Sequence, residues 1–361
     1  MWLQRAPEAG PPQRPVSVKG KLRRMCANRS TGAARRVTTP LIERFRDRLP
    51  VSPATPVVSL GEGSTPLLRA DRLAAAAGLR ELWLKWEASN PTGSYKDRGM
   101  TVAVSKALEG GAEAVICAST GNTAASAAAY ATRAGLPALV LTPQGAVSGA
   151  KLAQTRMLGA TVLEIRGDFD AALAAAQELG SRGTHVLVNS LNPDRRAGQK
   201  TAVFEIVEEL GEAPDAFVLP YGGGGNTSSY AQALSELGLQ TPIVSAEAVD
   251  RRTTMATAIR IGDPVHAASV RDSGARVVVV DDTEIVAAWR RLAAEEGLFC
   301  EPSSAAGLAA VLRGDVEGER LVVTITGHGL KDPAAADSYA PPPTVVEADP
   351  DAIATAGRAA S

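Results

Sequence analysis

Five loops of this chain carry residue types that could do chemistry. The first, Ser89-Asn90-Pro91-Thr92-Gly93-Ser94-Tyr95-Lys96, lies between a strand-like run at 82–87 and a helical pattern at 100–108. Pro91 and Gly93 break regular structure there, so Lys96 sits where a loop enters a helix. An amine beside the positive end of a helix is placed to act as a nucleophile or base. Taken alone it would be an ordinary solvated lysine. The second loop, Ser119-Thr120-Gly121-Asn122-Thr123, opens an alanine-rich helix. Hydroxyls and free N–H groups at a helix start form an anion site, although plain capping by Thr120 or Asn122 would use the same residues.

The third loop is Gly222-Gly223-Gly224-Gly225-Asn226-Thr227. Four glycines expose a row of N–H groups and permit positive φ, the makings of a phosphate nest. Neither the Gly-Lys-Ser/Thr of a P-loop nor the glycine spacing of a dinucleotide fingerprint is present. The fourth, Asn189-Ser190-Leu191-Asn192-Pro193-Asp194-Arg195-Arg196, gathers amide, hydroxyl and guanidinium groups suited to a carboxylate or phosphate. The fifth, Thr324-Ile325-Thr326-Gly327-His328, places the Thr326 hydroxyl at a strand end. His328 there invites a base role, but a solvated loop histidine is the plainer reading. No HExxH, CxxC, GxSxG or paired-carboxylate motif occurs, so metal hydrolysis and acyl transfer lack their residues, and no metal site is expected.

The elements that must position these loops are legible as apolar runs. Strands are predicted at 57–60, 82–87, 114–118, 138–141, 161–165, 185–188, 216–219, 243–246, 277–280 and 321–325. Helices alternate with most of them, several ended by a glycine such as Gly135, Gly159 or Gly180. Continuous apolar strands alternating with helices indicate an α/β fold with parallel sheet covered on both faces. Ligands of such sheets bind beyond the carboxyl ends of the strands, where these loops fall.

Composition narrows the class. Apolar residues are 45% and charged residues 21%, with a formal net charge of −1, so nothing biases the whole chain toward nucleic acid or membrane. Cys26, Cys117 and Cys300 have neither zinc-site nor disulfide spacing, which suits a reducing cytoplasm. No apolar run approaches bilayer length. Residues 1–36 hold nine Lys/Arg against Glu8 alone and are rich in proline, the composition of a disordered basic tail.

Taken together, Glu62-Gly63-Ser64-Thr65-Pro66-Leu67, the Lys96 loop, the run from Cys117 to Ala125, Gly149-Ala150-Lys151-Leu152-Ala153-Gln154, Gly198-Gln199-Lys200-Thr201, Glu301-Pro302-Ser303-Ser304-Ala305-Ala306 and the run from Thr326 to Pro333 resemble the threonine synthases. These belong to the β-family (fold type II, tryptophan synthase β-like) of pyridoxal-phosphate enzymes. The resemblance implies two open parallel-sheet αβα domains with the cofactor between them. A large cofactor-binding domain would comprise 39–87 and 186–335, a small mobile domain 88–185, with tails at 1–38 and 336–361. It further implies that Lys96 forms the Schiff base with pyridoxal phosphate and shuttles protons. Asn122 would bond the cofactor's phenolic oxygen, Gly222, Gly223, Gly224, Gly225 and Asn226 would hold its phosphate, and Thr326 would face its ring nitrogen. Ser119, Thr120, Asn189, Ser190 and Arg195 would hold the carboxylate and phosphate of a small amino-acid phosphate, O-phospho-L-homoserine, converted with water to L-threonine and phosphate. A homodimer is the assembly the family implies. The chain departs from the family's usual Gly-Asn-Ala-Gly-Asn loop, at Ala197, and at Arg251-Arg252-Thr253-Thr254. Those departures lie on the substrate side, so the alternative is a relative on the same cofactor performing another β- or γ-elimination or replacement, a dehydratase included.

Overall fold

Why the apolar runs become two-sided strands is visible in how their side chains divide. In β2 (Glu81–Trp86), Leu82 and Leu84 enter one core cluster and Trp83 packs on another. In β7 (Ala216–Pro220), Val218 goes to the first cluster and Phe217 and Leu219 to the second. The computed structural model describes residues 39–145 and 149–359; the basic tail expected at 1–36 lies outside them. Among the described residues, ten strands form two sheets. The remaining strands are β1 (Leu67–Arg69), β3 (Ala114–Ala118), β4 (Ala138–Pro143), β5 (Thr161–Ile165), β6 (His185–Leu187), β8 (Ile243–Ala248), β9 (Arg276–Val280) and β10 (Arg320–Ile325).

The six-stranded sheet has the order β1-β2-β10-β7-β8-β9 and the four-stranded sheet β5-β4-β3-β6. Every pairing is parallel except β1 with β2, which is antiparallel at the sheet edge. Helices cover both faces, as parallel strands require. On the smaller sheet Val115 and Cys117 face one cluster, Ile116 and Ala118 another. Each large side chain so buried contributes about 1.5–3 kcal/mol.

Three local expectations are corrected. Residues 57–60 form no strand, because helix Lys96–Glu109 takes their hydrogen bonds: Ser105 Oγ accepts from Val58 N at 3.0 Å, and Thr101 Oγ1 donates to Val58 O at 2.6 Å. Gly180 does not end its helix, which runs Phe169–Ser181; a Cβ there would meet Leu187 Cβ at 3.3 Å, so close packing on β6 explains the glycine. The helix expected over 199–210 is Thr201–Leu210, while the stretch before it, expected as a loop, forms a further helix, Pro193–Gln199, capped by Asn192 Oδ1, which accepts from Asp194 N at 2.9 Å. Short helices at Ala267–Asp272 and Pro333–Tyr339 were not visible as periodic patterns.

Candidate active site

The Lys96 loop leaves the carboxyl end of β2, and neighbouring β10 ends in the Thr326 loop. The two loops are zipped together. Tyr95 N donates to Thr326 O at 3.0 Å, His328 N donates to Gly93 O at 2.9 Å, and Ser94 bridges Gly327. Lys96 is the first residue of its helix, and its half-buried Nζ donates to Tyr95 Oη at 2.6 Å. The Thr326 hydroxyl is buried, 2.9 Å from Ser304 Oγ, which also accepts from Gly327 N at 2.9 Å.

The start of that helix is anchored by a buried charge cluster. Arg98 bonds Glu87 at 2.7 and 2.8 Å and Glu205 at 2.9 and 2.6 Å, and Lys85 Nζ lies 2.9 Å from Glu205. Burial pushes the Glu205 carboxyl up, but Arg98 and Lys85 more than offset this and leave it well below the ordinary range. Next to Lys96, Asp97 is fully buried and accepts from Thr92 N, Thr92 Oγ1 and Ser126 Oγ at 2.7, 2.6 and 2.6 Å. Burial outweighs those bonds and raises it to about 6.

The glycine loop links β7 to helix Gly225–Leu237, with Gly224 at φ +81. Among the described residues, the amides of Gly222, Gly223 and Gly224 donate to no protein acceptor, and the first-turn amides of the helix have no intrahelical partner. Asn226 Nδ2 is buried without a partner. Asn122 begins helix Asn122–Ala134; its Nδ2 donates to Glu301 Oε1 at 2.8 Å, and its Oδ1 is buried without a partner.

On the expected substrate side, Arg195 is fully buried. Its Nη1 donates to Val188 O at 2.8 Å, while Nε and Nη2 have no partner among the described residues. Burial lowers its pKa. Ser119 Oγ accepts from Gly121 N at 3.1 Å and Thr120 is half-buried. Ser190 O lies 3.1 Å from His266 Nε2. Burial, then the Arg196 charge, lowers the His266 pKa, with Lys96 and Arg195 adding to the effect, so several cations converge here. Asn189 differs from expectation in detail. Both ends of its amide are spent on the Ala118 backbone, at 2.9 and 2.8 Å, so it fixes the start of the Ser119 loop.

Several residues of this region had no assigned role in the sequence reading. Glu301 reaches Lys151 Nζ at 3.0 Å, and Lys151 reaches Thr257 Oγ1 at 3.3 Å, which bonds Asp332 at 2.9 Å. Lys331 donates to Thr92 O at 2.9 Å and to Gln154, and burial lowers it to about 8 against the pull of Glu301 and Asp97. For Lys151, Glu301, Lys331 and Asp332 the signal lay only in their standing inside motifs that carry the resemblance. His328 Nδ1 accepts from Leu330 N at 3.2 Å, and its ring meets Trp86 and Phe299 edge-on, which suits a structural place.

Pyridoxal phosphate fits what is present. An amine, a nest of free amides, and the orphaned polar atoms of Asn122 and Asn226 surround the strand ends, with a neutral hydroxyl at Thr326.

Comparison with known proteins agrees. The family model "Pyridoxal-phosphate dependent enzyme" matches residues 58–327. Threonine synthase of Synechocystis sp. is 47% identical over 321 residues, covering 82% of this chain and 84% of that one. Threonine synthase of Mycobacterium tuberculosis is 45% identical over 340 residues, covering 87% and 94%. Among solved structures, maize serine racemase aligns with TM-score 0.69 at 25% identity over 76% of this chain and 91% of that one. A threonine deaminase from T.th. aligns with TM-score 0.64 at 27% identity over 73% and 92%.

Proposed function

The chain belongs to the pyridoxal-phosphate-dependent enzyme family, and from that premise we infer that it converts O-phospho-L-homoserine and water to L-threonine and phosphate. Its fold is the type II α/β arrangement of that family. What carries the functional reading is the likeness to threonine synthases over more than four-fifths of the chain.

When bound, the cofactor would supply an electron sink for carbanions at Cα and Cβ of the substrate. We assign the protein's part as follows. Lys96 Nζ would hold the cofactor, take protons from Cα and Cβ and return them at Cγ, which becomes the methyl group, and at Cα, since its helix-start position and half-burial leave the amine accessible. Free amides at Gly222, Gly223 and Gly224, with Asn226, hold the cofactor's phosphate. Asn122 holds its phenolic oxygen. Thr326 meets its ring nitrogen with a neutral hydroxyl, which adds no full charge to the ring. Arg195, whose Nε and Nη2 are unpartnered, Ser119, Thr120 and Ser190 hold the anionic ends of the substrate. Asn189 orients the Ser119 loop through Ala118. Phosphate leaves Cγ with its bridging oxygen, and water supplies the hydroxyl at Cβ. Among the described residues no helix is long and apolar enough to cross a membrane. A cytoplasmic homodimer is the setting we propose; the free, buried Cys117 and Cys300 suit a reducing compartment.

The test is an assay of purified protein with O-phospho-L-homoserine that follows phosphate and threonine separately. Equal amounts of both are expected. Phosphate with 2-oxobutanoate and no threonine would overturn the assignment in favour of an eliminating relative.

A further inference from the structure

Four consecutive glycines give the phosphate loop no side chains with which to anchor itself. Its carbonyls are held from outside. Gly224 O accepts from Ser228 N and Ser228 Oγ, each at 3.0 Å, and Gly223 O accepts from His266 N at 3.0 Å. Gly222 O accepts from Arg251 Nη2 at 2.7 Å. Arg251 reaches further than the other donors. Its Nε donates to Ile261 O at 3.0 Å, its Nη1 bonds Glu247 of β8, and its guanidinium carbon lies 5.1 Å from the Tyr221 ring centroid. The segment ending at Ile261 packs directly behind the loop, where a Cβ on Gly222 would meet Ile259 Cα at 3.2 Å. One planar group therefore ties the glycine loop, that segment and the end of β8 together.

A trans peptide unit points its C=O and the following N–H in opposite directions. Fixing Gly222 O on Arg251 thus aims the Gly223 N–H away from the guanidinium, toward the face where the free amides lie. We propose that Arg251 is a positioning residue for the phosphate group of the cofactor, acting through the Gly222 carbonyl. Glu247 balances its charge, so the fork of donors does the positioning, and a point charge cannot replace it. The inference rests on reading the glycine loop as the phosphate site.

The test measures binding of pyridoxal phosphate and of pyridoxal, which lacks the phosphate, to full-length protein stripped of cofactor, with no amino acid present. Wild type binds the phosphorylated form more tightly. R251Q weakens pyridoxal phosphate about tenfold or more and leaves pyridoxal unchanged. R251K keeps the charge but cannot reach both carbonyls, and shows the same selective loss. Should R251Q not accumulate as folded protein, R251K carries the same test. Equal weakening of both ligands, no weakening of either, or wild-type affinity in R251K would each overturn the role of Arg251. A wild type that does not distinguish the two ligands would instead overturn the reading of the loop as a phosphate site.

Discussion

A Cβ on Gly198 would stand 2.0 Å from the carbonyl oxygen of Arg98. Its counterpart on Gly99 would stand 2.5 Å from the carbonyl oxygen of Arg195. The two helices carrying Lys96 and Arg195 therefore touch backbone to backbone, and this contact fixes the distance between the Lys96 amine and the buried guanidinium. G198A forces the helices apart. It is expected to cost about 1–3 kcal/mol or more, read as a lower urea midpoint at unchanged slope.

Glu301, from the side of the six-stranded sheet, holds two residues of the smaller sheet's helices, accepting from Asn122 and pairing with Lys151. Lys151 and Glu301 are both buried, so E301A leaves an uncompensated ammonium. A loss of about 3–5 kcal/mol is expected, measured by equilibrium unfolding. The double variant E301A/K151M should recover part of it, and non-recovery would argue against the pair.

Lys331 has a folded pKa of about 8 against an ordinary 10.5. The unfolded chain thus binds the extra proton between those values, and this group's contribution to stability rises with pH through that window, by about 3 kcal/mol at most. Asp97, raised to about 6 from an ordinary 3.8, acts oppositely. There the folded state binds the extra proton, so its contribution is present below pH 3.8 and is lost as pH rises through 6. Melting temperatures of K331M and D97N across about pH 4–10 should flatten the corresponding limbs relative to wild type.

K96A removes a side chain whose nitrogen, among the described residues, bonds only Tyr95 Oη. Stability should change little, while the visible absorbance of lysine-bound cofactor disappears and turnover falls to background. Absorbance and turnover both retained would refute the assignment of Lys96.

Sequence patterns located the strands well: Ala114–Ala118, buried on both faces, and Thr161–Ile165, a largely exposed edge strand, both coincide with their predicted bounds. The failure at 57–60 came from tertiary hydrogen bonds to Thr101 and Ser105, which no local pattern records. The loops of the candidate site were legible because their residue types are unusual at strand ends, and the resemblance supplied the roles proposed for them. The partnership of Asn122, Lys151 and Glu301 was not legible. Its members come from three separate stretches of chain and meet only when the two sheets are assembled. The two amide bonds of Asn189 to Ala118 were hidden because β3 and β6, far apart in the chain, become neighbours only in the folded sheet.

Strand β10 lies between β2 and β7, yet it is the last strand in the chain. During synthesis β2 must wait with an open edge while more than two hundred residues, including the whole four-stranded sheet, emerge before its parallel partner Arg320–Ile325 arrives. At about 5–20 residues per second that interval lasts tens of seconds or less. The smaller sheet can form ahead of it, since its strands are contiguous in the chain. Thr326 and the zipper to the Lys96 loop come with β10, so a nascent chain has no complete site until nearly all of it has been made. Premature termination before β10, at residue 320, therefore leaves a sheet lacking its central strand, with exposed edges of the kind that seed aggregation.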